Sequence, residues 1–332
     1  MDEAIGGYFE MELNRGNHPY PGAGAFNSAR SAFQAVLLAR KTRRVFLPHF
    51  ICSVMTDAAN AVDVEVTRYG LNDALELPEP PEVQFNEQLL YVDYFGLKRA
   101  YIQNTLALRY RDKLIVDNAQ ALFSLPVTGI ATLYSPRKFV GVPDGGWLVN
   151  GPTNVERPSP GTSSHRLDAL IGRLIDGPEA HYSAFQRTEE ALGLEGLKGM
   201  SASTVRLLDS IDYTDIKTRR IENLRQLHGA LHAINHFSAW PPVPIPALCY
   251  PLLLESADAA QALRHRLLAN RIYVPSYWRE LIDSQTTPAL EKQLSERLLP
   301  LPIDQRYGQQ DINRLAAVIL KYFGHHPTES DQ

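Results

Sequence analysis

The stretch KLIVDNAQALFSLPVTGIATLYSPRKFVGVPDGG, residues 113–146, decides how the chain is read. It holds two short runs rich in β-branched and apolar residues, KLIVD (113–117) and IATLYS (130–135), and each ends on a polar side chain, Asp117 and Ser135. Runs of this kind, apolar without alternation, read as strands buried on both faces, which is the habit of parallel sheets. In open parallel sheets ligands bind beyond the carboxyl ends of the strands. Asp117, Ser135 and Lys138 therefore stand where chemistry is expected. Lys138 follows a proline-broken serine turn and precedes the glycine pair Gly145–Gly146.

The same alternation extends upstream. SARSAFQAVLLARK (28–41) has helical spacing, RVFLP (44–48) reads as a strand, FICSVMTDAANA (50–61) as a helix and VDVEVTRYG (62–70) as a strand. The strand LLYVDYFG (89–96) and a helix around NTLALRYR (104–111) lead into the opening stretch. A βα alternation of this length predicts an α/β fold with a mainly parallel sheet covered on both faces. Downstream, NGPTNVERPSPGTSS (150–164) is rich in Pro, Gly, Ser and Thr and predicts a long loop, followed by helical segments through about residue 235. TDIKTRRIENLRQLHGALHAI (214–234) predicts a long amphipathic helix that bridges into a second unit. That unit contains ALCYPLLLE (247–255) and LLPLPI (298–303) as strands, with ADAAQALRHRLLANR (257–271) and QQDINRLAAVILKYF (309–323) as helices. The expected organisation is an N-terminal arm over 1–14, a large α/β domain over 15–200, a small C-terminal α/β domain over 201–324 and a frayed tail over 325–332.

Composition excludes several functions. The chain has 332 residues, 44% of them hydrophobic and 21% charged, with a formal net charge of -4. RKTRR (40–44) is its longest basic run, so nucleic acid is not an expected partner. No apolar run is long enough to span a bilayer, and the N-terminus lacks the charge order of a signal peptide. The two cysteines, Cys52 and Cys249, stand far apart in apolar surroundings, which fits a reducing compartment and predicts a cytoplasmic protein. His228, His232 and His236 recur at helical spacing without an acidic partner and read as a solvated helix face, so no metal is expected. Ser135-Pro-Arg-Lys138 matches the S-x-x-K pattern of acyl enzymes, but neither S-D-N nor K-T-G follows, and Pro136 breaks the helix that the pattern needs. GAGAFNSA (22–29) lacks the third glycine of a dinucleotide fingerprint. FNSARSAF (26–33) instead sets small and hydroxyl residues at a helix start, where the free amides of Ala29 and Arg30 could hold a phosphate.

In their order and spacing these segments resemble the DegT/StrS-type sugar aminotransferases, fold-type I enzymes dependent on pyridoxal phosphate. AIGGYFEMEL (4–13), FLPHFICSV (46–54), IVDNAQA (115–121), SPRKFVGVPDGG (135–146), RRIENLRQLHGAL (219–231), IYVPSYWREL (272–281) and LLPLPIDQRY (298–307) carry the resemblance over most of the chain. It implies pyridoxal phosphate as cofactor, with Lys138 forming the Schiff base and Asp117 pairing with the pyridine nitrogen. Gln120 would contact the phenolic oxygen, and Ser135 would hold the phosphate together with Ala29 and Arg30. Phe50 is the candidate for stacking on the ring, with His49 and Cys52 as competitors. Phe139 and Val140 would give the lysine the partial burial that keeps an amine unprotonated and nucleophilic.

The resemblance further implies an amino-acid donor, glutamate, a keto-sugar acceptor, nucleotide-linked and of cell-surface polysaccharide biosynthesis, and a homodimer. The chain departs from the family pattern in two places. Its serine stands three residues before the lysine, closer than usual, and no Asn-Tyr-Arg motif follows. A lyase or dehydratase using the same cofactor, or a non-catalytic binding protein on the same fold, are the alternatives; Lys138, Asp117 and Gln120 together argue against the binding protein, and Lys138 favours transamination.

Overall fold

The computed structural model describes residues 5–241 and 244–324. The expected tail over 325–332 and the first four residues of the arm lie outside the described residues. Five strands form the parallel part of a seven-stranded sheet: β2 (Arg44–Pro48), β3 (Glu65–Tyr69), β4 (Glu87–Val92), β5 (Leu114–Asn118) and β6 (Ala131–Tyr134). Every residue of β4, β5 and β6 is buried, Glu87 and Gln88 at the start of β4 included, as strands covered on both faces are. At one edge, β7 (Gly146–Val149) runs antiparallel to β6, and β1 (Gly24–Phe26) runs antiparallel to β7.

The strand order is β1-β7-β6-β5-β4-β2-β3. Successive strands move outward from β4 in one direction and from β2 in the other, so the winding reverses between β2 and β4. A crevice opens at the carboxyl ends of such a pair. Asp117 and Lys138 follow from the neighbouring β5 and β6.

Helix α1 (Ala29–Ala39) packs on β1, β6 and β7, and α2 (Val54–Asn60) packs on α1 and β3. The helix expected from residue 50 starts four residues later, because residues 49–53 form a bend and turn after β2. Between β4 and β5 the chain makes two short helices, α3 (Arg99–Tyr101) and α4 (Ala107–Tyr110), joined through a π-helical turn over Ile102–Leu106. Residues 150–163 are irregular apart from an isolated bridge at Pro160, as the Pro- and Gly-rich composition predicts. The helices that follow are α5 (Leu167–Asp176), α6 (Tyr182–Leu194), α7 (Ala202–Asp209) and the long α8 (Tyr213–Leu231). Asp212 caps α8, accepting hydrogen bonds from the Thr214 and Asp215 amides at 3.0 Å each.

The last third holds an antiparallel pair, β8 (Tyr250–Leu253) with β9 (Leu298–Leu301). Around it lie α9 (Ala257–Ala269), α10 (Glu280–Asp283), α11 (Ala289–Arg297) and α12 (Gln309–Tyr322). One apolar core runs from the large sheet through α8 into this pair and α12. A second cluster, built on Tyr20, Tyr134, Phe139, Trp147 and Leu208, lies behind the turn that carries Lys138.

Candidate active site

Asp117 is the fourth residue of β5, paired in register with Val92 on one side and Leu133 on the other. It is buried, and its Oδ1 accepts the Ala119 amide at 2.8 Å. Burial pushes the carboxyl above the usual range, while the nearby charge of Lys138 and the Ala119 bond pull it back. A buried carboxylate of this kind is costly to ionise without a cation beside it, and Lys138 supplies one.

Gln120 stands three residues on and is 2% exposed. Its Oε1 accepts the Phe95 amide at 2.9 Å. A donor on the oxygen fixes which end of the amide is which, so the side chain is oriented by the turn after β4. That turn, Tyr94–Gly96, is a short 3-10 segment in which Phe95 adopts φ 57° and Gly96 φ 83°.

Lys138 closes a 3-10 turn over Pro136–Lys138 that starts from Ser135. The proline fixes the first position, and the Lys138 amide returns to the Ser135 carbonyl at 3.2 Å. The serine three residues ahead of the lysine is thus accommodated by the tightest helical turn rather than by a longer loop. Arg137 is ion-paired with Glu189 of α6. Phe139 is buried beneath the guanidinium of Arg220, 4.6 Å from its ring centroid, and its carbonyl accepts Gln305 Nε2 at 2.7 Å. Arg220 is itself buried, its Nη1 donating to the Ala247 and Leu248 carbonyls at 3.1 and 3.0 Å, and burial lowers its pKa to about 10. Here the expectation of a partly buried lysine is corrected. Phe139 and Val140 are enclosed in the second apolar cluster and leave Lys138 exposed, because the turn directs the lysine away from its apolar neighbours.

Ser135 is buried, and among the described residues its hydroxyl has no hydrogen-bond partner. The start of α1 is held close by the glycine pair. The Gly145 amide donates to the Asn27 carbonyl at 2.7 Å, and a Cβ built on Gly146 would lie 2.2 Å from the Ser28 carbonyl carbon and 2.3 Å from the Ala29 nitrogen. A Cβ on Gly145, where φ is +126°, would meet Pro136 at 3.3 Å. Serine turn, glycine pair and helix start are consequently neighbours. Ser28 caps α1 by accepting the Ser31 amide at 3.1 Å, which leaves the Ala29 and Arg30 amides at the positive end of an 11-residue helix. The Arg30 side chain runs elsewhere, donating to the Leu192 carbonyl at 3.2 Å.

Phe50, the candidate for stacking, is 0% exposed, at right angles to Trp278 with ring centroids 4.4 Å apart, and its carbonyl accepts the Tyr94 hydroxyl at 2.8 Å. His49 and Cys52 are half-buried.

Lys138 opens into a cavity of ≈ 1200 Å³. Arg137, Lys138, Arg173, Arg206, Arg220 and Arg306 line it against Glu10 and Asp304, with Leu170, Ile171, Leu174, Tyr182 and Phe185 of α5 and α6 as an apolar wall. Arg306 is committed to Asp304, its Nε and Nη2 reaching the two carboxylate oxygens at 2.6 and 2.9 Å. The size exceeds that of an ordinary small-molecule site. Of the expected cofactor contacts only Lys138 lines this cavity; Asp117, Gln120, Ser135 and the start of α1 do not. Their chemistry nevertheless suits pyridoxal phosphate: a buried carboxylate, a lysine within charge range of it, a side-chain amide and a serine beside a helix start.

Sequence reasoning missed Phe95, Arg220 and the α5–α6 wall. A phenylalanine with positive φ carries no sequence signal, since glycine is the residue that marks such positions. The amphipathic periodicity of LDALIGRLID (167–176) was open to reading, but periodicity does not say which neighbour an apolar face meets.

No family model matches the sequence, and no curated protein matches it. Solved structures do. Over 91% of this chain and 86% of the other, it superposes on a DegT DnrJ EryC1 StrS aminotransferase from Brucella abortus at 18% identity with a TM-score of 0.61. PseC of Helicobacter pylori, an aminotransferase involved in the biosynthesis of pseudoaminic acid, matches at 13% identity and TM-score 0.60, covering 92% of this chain and 87% of that one. Spr1654 of Streptococcus pneumoniae, solved in its PLP form, matches at 12% identity and TM-score 0.63 over 91% and 87%. The chain has the α/β fold of these enzymes, as its sequence led one to expect.

Proposed function

We propose that this protein is a pyridoxal-phosphate-dependent aminotransferase that takes an amino group from an amino acid, glutamate, and gives it to a nucleotide-linked keto-sugar of cell-surface polysaccharide or amino-sugar biosynthesis. The observation that carries the reading is the buried Asp117 held within the electrostatic reach of Lys138 at the carboxyl edge of the sheet. When bound, the cofactor supplies an electron sink for the substrate's Cα. In this reading Asp117 keeps the pyridine nitrogen protonated, and Lys138, after yielding its place to the donor, moves the proton at Cα. Gln120 donates to the phenolic oxygen, and Ser135 with the Ala29 and Arg30 amides receives the phosphate.

The cavity supports an anionic substrate. Beyond Lys138 and the paired Arg137 and Arg306, the cavity keeps Arg173, Arg206 and Arg220 against Glu10, which in a chain of net charge -4 concentrates positive potential where the lysine opens. Both a dicarboxylate donor and a diphosphate-linked sugar match that charge, and the volume admits the larger of the two. The exposed apolar side chains of α5 and α6, among them Leu174 and Ile175, support a homodimer. Among the described residues no helix is long and apolar enough to cross a membrane.

The test is the visible spectrum of the purified protein with added pyridoxal phosphate, before and after borohydride, for wild type and Lys138→Ala. A yellow band that borohydride fixes onto Lys138 and that the alanine variant lacks is the expected result, followed by glutamate-dependent turnover of a keto-sugar panel. Colourless protein in both cases would remove the enzyme reading, and turnover of free amino acids alone would remove the sugar.

A further inference from the structure

The residue that orients Gln120 is itself held in a conformation it would not choose. Phe95 is a bulky side chain with φ 57° and ψ 4°, in the left-handed region that glycine enters freely and other L-residues enter at a cost. Such a residue persists only when its surroundings over-determine it. Three contacts do so here. Its amide donates to Gln120 Oε1 at 2.9 Å, and its carbonyl accepts the Leu248 amide at 2.9 Å. Its ring, 0% exposed, stacks against Tyr277 at 6.3 Å and meets Phe237 edge-on at 5.9 Å.

The left-handed turn is what lets the Phe95 N–H reach Gln120 while its carbonyl reaches Leu248. Were residue 95 to relax to negative φ, the two groups would turn relative to one another and both bonds could not be kept. Gln120 Oε1 would then lose the donor that decides which end of the amide faces the site. Gly96 follows with φ 83°, and a Cβ there would lie 3.5 Å from the Gln120 carbonyl oxygen, so the turn lies beside the Gln120 backbone.

We propose that Phe95 is a positioning residue: its left-handed backbone, braced by Leu248 and by the Tyr277 and Phe237 rings, fixes the Gln120 amide so that the NH₂ is presented to the phenolic oxygen of the cofactor. The inference rests on the cofactor reading given above. Its chemistry is a single hydrogen bond. A donor at the phenolic oxygen stabilises negative charge there and weakens that oxygen's hold on the proton shared with the lysine–cofactor nitrogen, so the proton leaves at lower pH. Without an oriented donor the proton stays on to higher pH.

The experiment is a pH titration of the visible band of the protein loaded with pyridoxal phosphate, for wild type, Gln120→Leu, Phe95→Ala and Phe95→Gly. Alanine and glycine both remove the ring, but only glycine keeps the left-handed turn without strain. Gln120→Leu should move the midpoint up by about one pH unit, the size of one hydrogen bond to a charged oxygen. Phe95→Ala should move it in the same direction although Gln120 is intact, and Phe95→Gly should stay near wild type. Equal midpoints for Phe95→Ala and wild type would overturn the proposal, as would an equal shift in Phe95→Ala and Phe95→Gly, since the backbone would then not be the orienting element. A wild type that forms no visible band would overturn the cofactor reading itself, an outcome separable from the other two. Thermal melting of each variant identifies any that fails to fold; Phe95→Asn, whose side chain tolerates the left-handed region, then replaces Phe95→Gly, and Phe95→Val, whose branched side chain does not, replaces Phe95→Ala, each with the same outcome expected.

Discussion

At the scale of single residues, the carboxyl ends of the central strands hold more buried acid than the proposed chemistry uses. Asp93 follows β4 and is 1% exposed, its Oδ1 accepting the Lys98 amide at 2.7 Å. Burial pushes its carboxyl from 3.8 to about 6. A carboxyl raised on folding favours the native state while protonated, and that contribution is lost as pH rises through the folded value. The native protein should therefore lose stability between about pH 4 and pH 6, by up to roughly 3 kcal/mol from this group. Asp93→Asn keeps the acceptor for Lys98 and removes the titration. Denaturant unfolding should show the variant ahead of wild type at pH 7 and level with it at pH 4; an unchanged gap across that range would refute the assignment. Asp117 and Lys138 could be singled out from their places at and just beyond strand ends, and Gln120 only through the family resemblance. Phe95 could not, because its role lies in a backbone angle and in contacts from residues 237, 248 and 277 that no local pattern connects.

At the scale of elements, the junction of α1 with β7 is the tightest approach near the site. No side chain fits at Gly146, where a Cβ would overlap the Ser28 backbone at 2.2 Å. Gly146→Ala must push the start of α1 away from the serine turn, a strain of about 3 kcal/mol by analogy with overpacked cores. Calorimetry should register the loss as a lower melting temperature, and phosphate or pyridoxal phosphate should restore less of it than in wild type. A variant with unchanged melting and unchanged anion binding would show that the junction yields without cost. The strands were legible because buried parallel strands are compact apolar runs. Their ends were less so: α2 begins after a turn that the apolar pattern of FICSVM (50–55) conceals, and the helix before β5 is interrupted by a π-helical turn whose causes are tertiary.

At the scale of the whole molecule, average charge and local charge point in opposite directions. An acidic chain gathers six cationic side chains around one cavity, which composition cannot reveal because the residues come from positions 137 to 306. Screening should act on the cavity before it acts on the fold. Raising ionic strength from 0.05 to 0.5 M, across which the Debye length falls well below 10 Å, should raise KM for an anionic donor several-fold with little change in melting temperature. A KM indifferent to salt would mean that the cations are spent on the protein itself. The same spread of positions bears on synthesis. Phe139, next to Lys138, is braced by Gln305, 166 residues later. At ordinary translation speeds those residues take roughly 10–30 s to make. For that interval the nascent chain carries its lysine turn and its sheet without the Arg220 and Gln305 braces, and Phe139 and Val140 have only part of their cover. Under the proposed function, cofactor capture is in this sense a late event in the life of each molecule, and chaperones that shield apolar segments have their opportunity before it.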